Sequence, residues 1–287
     1  MRALRWVPFM DHIDITSPDD PRLDPFRSIK GKSDRGDGMF VAESEIVLDR
    51  LLESSFRIQS VLVTPARANR LHEKLSDASG ERTDAFEVLV APQTVIDDVV
   101  GYPLHRGVIT LAERHPLPSA TELLARSRTV LVLEDVADPE NIGSMFRHAA
   151  GFGVDAVILH GHCGDPLYRK TIRTSMGWTL CIPYCRITDT DGTIGDVLAA
   201  AGFVSLALTP SRGALSMGQA IDGVDDEARI AIVVGAEGPG LKNETMAATT
   251  FRARIPICDG VDSLNVSTSA AIALFALTSA QPSRLGR

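Results

Sequence analysis

Three stretches of the chain carry residues of the kinds that hold a ligand and position reacting groups. The first is Asp138-Pro-Glu-Asn141-Ile-Gly143-Ser-Met-Phe-Arg147. It follows an apolar run at 129–134 and opens a helical pattern. Asn141 is placed to cap that helix, its side chain accepting a backbone N–H of the first turn. Ile142, Met145, Phe146 and Ala149 form one apolar stripe. Arg147 falls off the stripe and need not be buried. It reads either as a solvated helix cation or as a charge that meets an anionic group.

The second stretch is Ile232-Val-Val-Gly235-Ala-Glu237-Gly238-Pro-Gly240-Leu. An apolar strand runs into a glycine-rich turn and then a helix. Glycines at a strand's carboxyl end let a ligand approach the backbone closely. Glu237, inside the turn, could reach that ligand or orient an arginine; the plainer reading is a surface acid. The third stretch, Ile255-Pro-Ile-Cys-Asp-Gly-Val-Asp-Ser263-Leu264-Asn265-Val266-Ser267, ends a strand and feeds a helix of small residues. Ser263 or Asn265 could simply cap that helix. Its Ser267, Ser269, Ala270 and Ala271 permit close approach of another helix, in the same chain or in a partner subunit.

Other motifs carry less. Gly151-Phe-Gly153-Val-Asp-Ala156 fits a loose dinucleotide fingerprint, but it follows a helix and precedes a strand, the reverse of what that fingerprint needs. Gly151 is better read as a helix C-cap. There is no Walker A loop and no nucleophile elbow. The spacing of His160, His162, Cys163, Cys181 and Cys185 is poor for zinc, so no metal is expected.

The elements that must position these residues alternate along the chain. Apolar runs at 129–134, 156–160, 180–183, 203–209, 230–235 and 254–258 suit strands buried on both faces of a parallel sheet. Helical patterns at 141–150, 192–201, 241–248 and 264–278 fill the gaps, which argues a three-layer α/β domain. Upstream, strands at 39–42, 60–64 and 86–91 and helices at 44–53 and 66–76 make a smaller α/β unit. Residues 1–38 are polar and rich in Asp, Pro and Gly, and read as an irregular arm. Within it Arg22, Arg27, Lys30, Lys32 and Arg35 form either a solvated stretch or a local phosphate-contacting patch. Pro116 and Pro118 mark a linker at 113–128.

Composition sets the limits. With 287 residues the prior is about two domains. Apolar residues at 44% are enough for a sizeable core, and aromatics at only 5% make that core aliphatic. A net charge of −8 excludes polyanion binding by bulk charge, so any nucleic-acid site must be a local patch. Four irregularly spaced cysteines exclude a disulfide scaffold and favour a reducing compartment. No signal peptide is evident, and no apolar run reaches the ~18 residues of a spanning helix. A cytoplasmic protein is expected.

Taken together, the three stretches form an ordered set: N-x-G-x-x-x-R after one strand, G-x-E-G-x-G-L after a later one, and I-P-(x₆)-S-L-N-V-S before the last helix. This set closely resembles the SpoU (TrmH-like) branch of the SPOUT RNA methyltransferases, over residues 129–278. The phrases Arg35-Gly-Asp-Gly-Met-Phe-Val-Ala-Glu43, Val61-Leu-Val-Thr-Pro65 and His105-Arg-Gly-Val108 resemble that family's L30e-like substrate-binding domain. One departure is Ser44, where the family usually has glycine.

The resemblance implies a C-terminal α/β trefoil-knot methyltransferase domain at 129–287 and an L30e-like α/β domain at 39–112. It implies S-adenosylmethionine as cofactor, a ribose 2′-hydroxyl of RNA as acceptor, and a homodimer built on the small-residue final helix. Carried over, the cofactor pocket comprises Leu208, Thr209, Gly235, Ile255 and Leu264. The catalytic set comprises Arg147, Glu237, Ser263, Asn265 and Asn141. Ser263 and Asn265 would orient the reacting groups, Glu237 would orient Arg147 or shape its loop, and Asn141 would fix its helix. Ribosomal RNA is favoured over transfer RNA, because transfer-RNA enzymes of this branch often lack the L30e-like domain. The alternatives are a transfer-RNA 2′-O-methyltransferase and a non-catalytic RNA-binding relative; the intact motif residues argue against the latter. A nicotinamide-dependent enzyme is disfavoured by the misplaced fingerprint.

Overall fold

The strand–helix alternation builds two separate sheets. A computed structural model describes residues 12–27, 38–81, 86–104, 107–188 and 192–285. The chain divides between His115 and Pro116, except that Leu167–Arg169 groups with the first unit.

In the first unit the strands are β1 (Ile13–Asp14), β2 (Met39–Glu43), β3 (Ile58–Val63), β4 (Glu87–Val90) and β5 (Val108–Glu113). The helices are α1 (Glu45–Glu53), α2 (Pro65–Glu81) and α3 (Gln93–Val100). The sheet order is β1-β4-β3-β5-β2, with β5 antiparallel to both its neighbours. The arm expected at 1–38 is in part structured. Ile13–Asp14 is an edge strand parallel to β4, and Leu23 and Phe26 are fully buried against Ile96, Val99 and Val100. These apolar residues are thinly spread among Asp and Pro, so average composition hides them. Arg22 and Arg27 are held by Asp20 and Asp24 rather than left open for phosphate. Lys30, Lys32 and Arg35 lie outside the described residues.

Ser44 joins β2 to α1 with φ +87° and ψ 156°, and it is buried. That backbone region is essentially reserved for glycine, and holding another residue there costs on the order of 1–3 kcal/mol. We expect Ser44→Gly to stabilise the protein by about 1 kcal/mol, the strain relief exceeding glycine's extra chain entropy. Equilibrium denaturation checks this; a loss of stability would mean that the hydroxyl supplies more than the strain removes.

The proposed linker is shorter than 113–128. β5 runs through Glu113, and α4 (Ala120–Arg126) begins soon afterwards. Ser119 and Glu122 form a reciprocal capping box, and Leu123 and Leu124 are buried. Pro116 and Pro118 precede the cap, where they do not oppose a helix.

The second unit continues with β6 (Thr129–Glu134), α5 (Pro139–Gly151), β7 (Ala156–His160), α6 (Arg169–Thr174), β8 (Tyr184–Ile187), α7 (Ile194–Ala200) and β9 (Phe203–Leu208). It ends with β10 (Leu215–Ser216), α8 (Met217–Asp222), β11 (Arg229–Gly235), α9 (Asn243–Ala248), β12 (Phe251–Arg254) and α10 (Val266–Ala280). All seven strands are parallel, in the order β10-β12-β9-β11-β6-β7-β8. One face is covered by residues of α5, α8 and α10, including Phe146, Ile221 and Leu274; the other by Leu123, Leu124, Ile194 and Leu198. Burial on both faces explains the unbroken apolar runs.

Several local expectations are corrected. The strand expected at 180–183 lies at Tyr184–Ile187, after a short 3-10 helix at Trp178–Leu180. Pro183, with no N–H to give a ladder, stands just before it. The strand expected at 254–258 is Phe251–Arg254, and Pro256 falls beyond its end. Asp138, not Asn141, caps α5, accepting from the N–H groups of Glu140 and Asn141. Pro139 then takes the first helical position, where its fixed φ fits and its missing N–H costs nothing. Gly151 lies inside α5. The left-handed residue is Gly153 (φ +66°), where a Cβ would meet the Arg284 carbonyl at 2.9 Å. No described helix is long and apolar enough to cross a membrane.

Candidate functional site

The carboxyl ends of β9, β11 and β12 open onto one cleft of about 710 Å³. Leu208 and Thr209 enter it from the end of β9, and Gly235 from the end of β11. Ile255 follows β12, and Leu264 precedes α10. All five residues expected to hold a cofactor therefore lie on one wall system, together with Glu237, Ser263 and Asn265. Parallel strands bring their carboxyl ends to one edge of the sheet, and that edge is where open α/β domains bind ligands.

The 236–241 loop forms one side. Gly240 N–H donates to the Ala236 carbonyl at 3.0 Å, folding the loop back on itself. A Cβ on Gly235 would lie 2.3 Å from the Gly240 carbonyl carbon and 2.4 Å from the Leu241 nitrogen. Only glycine permits the chain to pass itself at this distance. Gly238 and Gly240 take φ values of +91° and +74°, which complete the turn.

Asn265 is the centre of the polar cluster. Its Oδ1 accepts from the N–H groups of Ser267 (2.9 Å) and Thr268 (3.2 Å), capping α10. Its Nδ2 donates to Asn141 Oδ1 at 2.9 Å and to Glu237 Oε1 at 2.8 Å. One amide thus caps a helix and ties together the three stretches singled out in the sequence. Glu237 is paired with Asn265 rather than with Arg147. Ser263 is exposed at the cleft.

Arg147 is not drawn into this cluster. It follows Asn141 by six residues, or about 9 Å along the helix axis. It is exposed, does not line the cleft, and makes no side-chain hydrogen bond or ion pair among the described residues. Beside it, the His148 imidazole is held below its ordinary value, first by burial and then by the Arg147 charge.

Sequence reasoning missed Glu134. This carboxylate ends β6, is fully buried, and pairs in the ladder with Gly235. Its Oε2 accepts the Lys242 N–H at 2.8 Å; its Oε1 accepts the Thr245 hydroxyl at 2.5 Å and lies 3.0 Å from His160 Nδ1. Burial alone would raise the Glu134 carboxyl; the contacts with His160, Thr245 and Lys242 outweigh it and hold the group below the usual carboxylate range. The available signal was an acid closing an otherwise apolar strand. Asn243, Met246 and Asp262, also on the cleft, carried no signal of their own.

Burial pushes the Cys163 thiol up and Cys185 up to about 12, which leaves both as unreactive neutral thiols. Among the described residues no cluster of His, Cys, Asp and Glu is arranged to hold a metal ion.

The second unit is a parallel α/β domain with a cleft at its strand carboxyl ends, the edge where such domains bind ligands. The chain belongs to the SpoU rRNA methylase family, in its TrmH-like branch, and is a methyltransferase of that family: the family model matches residues 128–275. It is 42% identical to a Mycobacterium bovis protein named as an uncharacterized tRNA/rRNA methyltransferase, over 94% of this chain and 92% of that one. It is 28% identical to a TrmH-family tRNA/rRNA methyltransferase of Staphylococcus epidermidis, over 77% and 88% of the two chains. Its fold matches the crystal structure of an AdoMet-bound rRNA methyltransferase from Sinorhizobium meliloti with a TM-score of 0.79. That match is at 24% identity and covers 93% of this chain and 98% of that one.

Proposed function

We propose that the protein transfers a methyl group from S-adenosylmethionine to a ribose 2′-hydroxyl of RNA, with ribosomal RNA the favoured substrate. The observation that carries this reading is the Asn141–Asn265–Glu237 cluster at the mouth of the cleft. Three stretches far apart in the sequence converge there on one amide.

The cleft fits the cofactor by its chemistry. Leu208, Ile255, Leu264 and Met246 offer apolar surface to a planar base. The glycine-rich loop and the strand ends offer backbone N–H and carbonyl groups to its polar edges. Glu237 and Asp262 place carboxylates on the same walls, which suits a ligand bearing cationic groups. When bound, the sulfonium supplies an activated methyl group, so the protein's own task is to position the acceptor and manage its proton. Asn265 and Asn141 fix the loop mouth, and Ser263 stands exposed to orient the ribose. Arg147 supplies positive charge to the attacking oxygen or to a neighbouring phosphate. A guanidinium stays protonated, so it acts as a cation and not as a base.

The separate N-terminal α/β unit supports an rRNA substrate, as the L30e-like domain of this branch. The relatives named for both tRNA and rRNA keep tRNA as the second reading. The reading brings with it the family's knot in the C-terminal domain, a cytoplasmic location and a homodimer. On α10, Ile272 and Phe275 are exposed, Phe275 at 60%, and the Phe275 ring lies 6.5 Å from that of Phe152. Ser267 and Ala270 are buried within the chain itself, so the surface that suits a second copy is Ile272 and Phe275 with the half-buried Ser269 and Ala271.

The test is methylation with labelled S-adenosylmethionine of ribosomal RNA and transfer RNA from a deletion strain. We expect a 2′-O-methylnucleoside in the digested ribosomal RNA, and a dimer by sedimentation at micromolar concentration. Label confined to transfer RNA would move the substrate, and a methylated base would overturn the ribose assignment. A fully active monomer would remove the dimer from the reading.

A further inference from the structure

Glu134 is buried, ionisable and outside the cleft, and the chemistry proposed above does not use it. Its position is nevertheless tied to the cleft at two points. In the ladder it stands opposite Gly235, where the chain leaves β11 to form the 236–241 loop. Its side chain reaches Lys242, where the chain leaves that loop, and accepts the Lys242 N–H at 2.8 Å. The second oxygen accepts the Thr245 hydroxyl one turn into α9 and meets His160 from β7. The loop between these points carries Ala236, Glu237, Gly238 and Gly240, all on the cleft wall. Its own closure is slight, a turn hydrogen bond between Gly240 and Ala236.

We propose that Glu134 is a positioning residue for cofactor binding, a buried carboxylate that fixes the return of the 236–241 loop and thereby the shape of the cleft. Three groups converge on it, two from the start of α9 and one from β7, and a shorter or apolar side chain leaves the Lys242 N–H and the Thr245 hydroxyl without their acceptor. Glutamine keeps the reach. Its carbonyl accepts from Lys242, while its amide donates to the Thr245 oxygen and to a His160 ring that has changed tautomer.

The inference rests on the cleft being the cofactor site, and the experiment separates the two. S-adenosylmethionine binding is measured by calorimetry on the full chain, alongside hydrogen exchange at the Lys242 amide. Glu134→Ala is expected to weaken binding on the order of 10- to 100-fold, the scale of a buried polar group losing its partner. The Lys242 amide should exchange faster. Glu134→Gln should bind within about threefold of wild type, since the acceptor for Lys242 remains. Val130→Ala, buried at the opposite end of the same strand, should lose stability without losing affinity. Should Glu134→Ala fail to fold, Thr245→Val deletes one donor with little change in volume and is expected to weaken binding about three- to tenfold.

Wild-type affinity in Glu134→Ala with an unchanged Lys242 amide overturns the proposal, as does failure of Glu134→Gln to rescue. If Gly235→Val also binds normally, the cleft assignment falls, and the Lys242 exchange then decides the role of Glu134 by itself.

Discussion

Replacing Arg147 by alanine is expected to lower methyl transfer by roughly 10²–10³, the scale for losing one electrostatic donor at a reacting oxygen. Stability should change by less than about 0.5 kcal/mol, because Arg147 is an exposed helix residue with no partner among the described residues. Cofactor affinity should hold, since the side chain does not line the cleft. A lysine at this position keeps a positive charge but not the planar fork, so substantial rescue by Arg147→Lys favours a simple charge role. Single-turnover methylation at saturating cofactor and RNA is the measurement. The His148 imidazole offers a second reading, because the Arg147 charge helps hold it down. Its titration, followed by NMR, should move up in Arg147→Ala while remaining depressed by burial. Full methylation by Arg147→Ala would overturn the proposed mechanism and leave the fold and the cleft intact.

Substitution of Gly235 is expected to do more than fill the space of a ligand. A Cβ at this position would lie 2.3–2.5 Å from backbone atoms of Gly240 and Leu241. Backbone cannot swing aside as the end of a side chain can, so the 236–241 loop must move. Crowding of this kind costs about 1–3 kcal/mol, and here it falls on the wall of the cleft. We expect Gly235→Val to weaken S-adenosylmethionine binding on the order of 10²-fold. Gly235→Ala should come close to it, because the first carbon already collides. That near-equality is what separates loop displacement from simple blocking of the ligand, for which valine would be much worse than alanine. Calorimetry on both variants decides the matter. Unchanged affinity in both would place the cofactor elsewhere.

The sequence by itself determined the alternation of strands and helices in the second unit and the carboxyl-end placement of Leu208 and Gly235. It also marked the three stretches that the fold brings together at Asn265. These are local properties: apolar runs of strand length, glycines after a strand, and small residues on the last helix. Boundaries set by proline were less legible. Pro139 moved the α5 cap from Asn141 to Asp138, and Pro183 and Pro256 moved the neighbouring strand boundaries. Asn265 was read as either a helix cap or an orienting group. Only the folded chain makes it both, since an amide has an acceptor for the helix and a donor for Asn141 and Glu237. Glu134 was illegible for the same physical reason. The acid at the end of an apolar strand was its one local mark, and that mark could not name its partners, because Gly235, Lys242 and Thr245 reach it only through a strand order that sets β11 beside β6. Residue type and spacing fix what a segment can form; which distant segment satisfies a buried carboxylate is decided by the packing of the sheet.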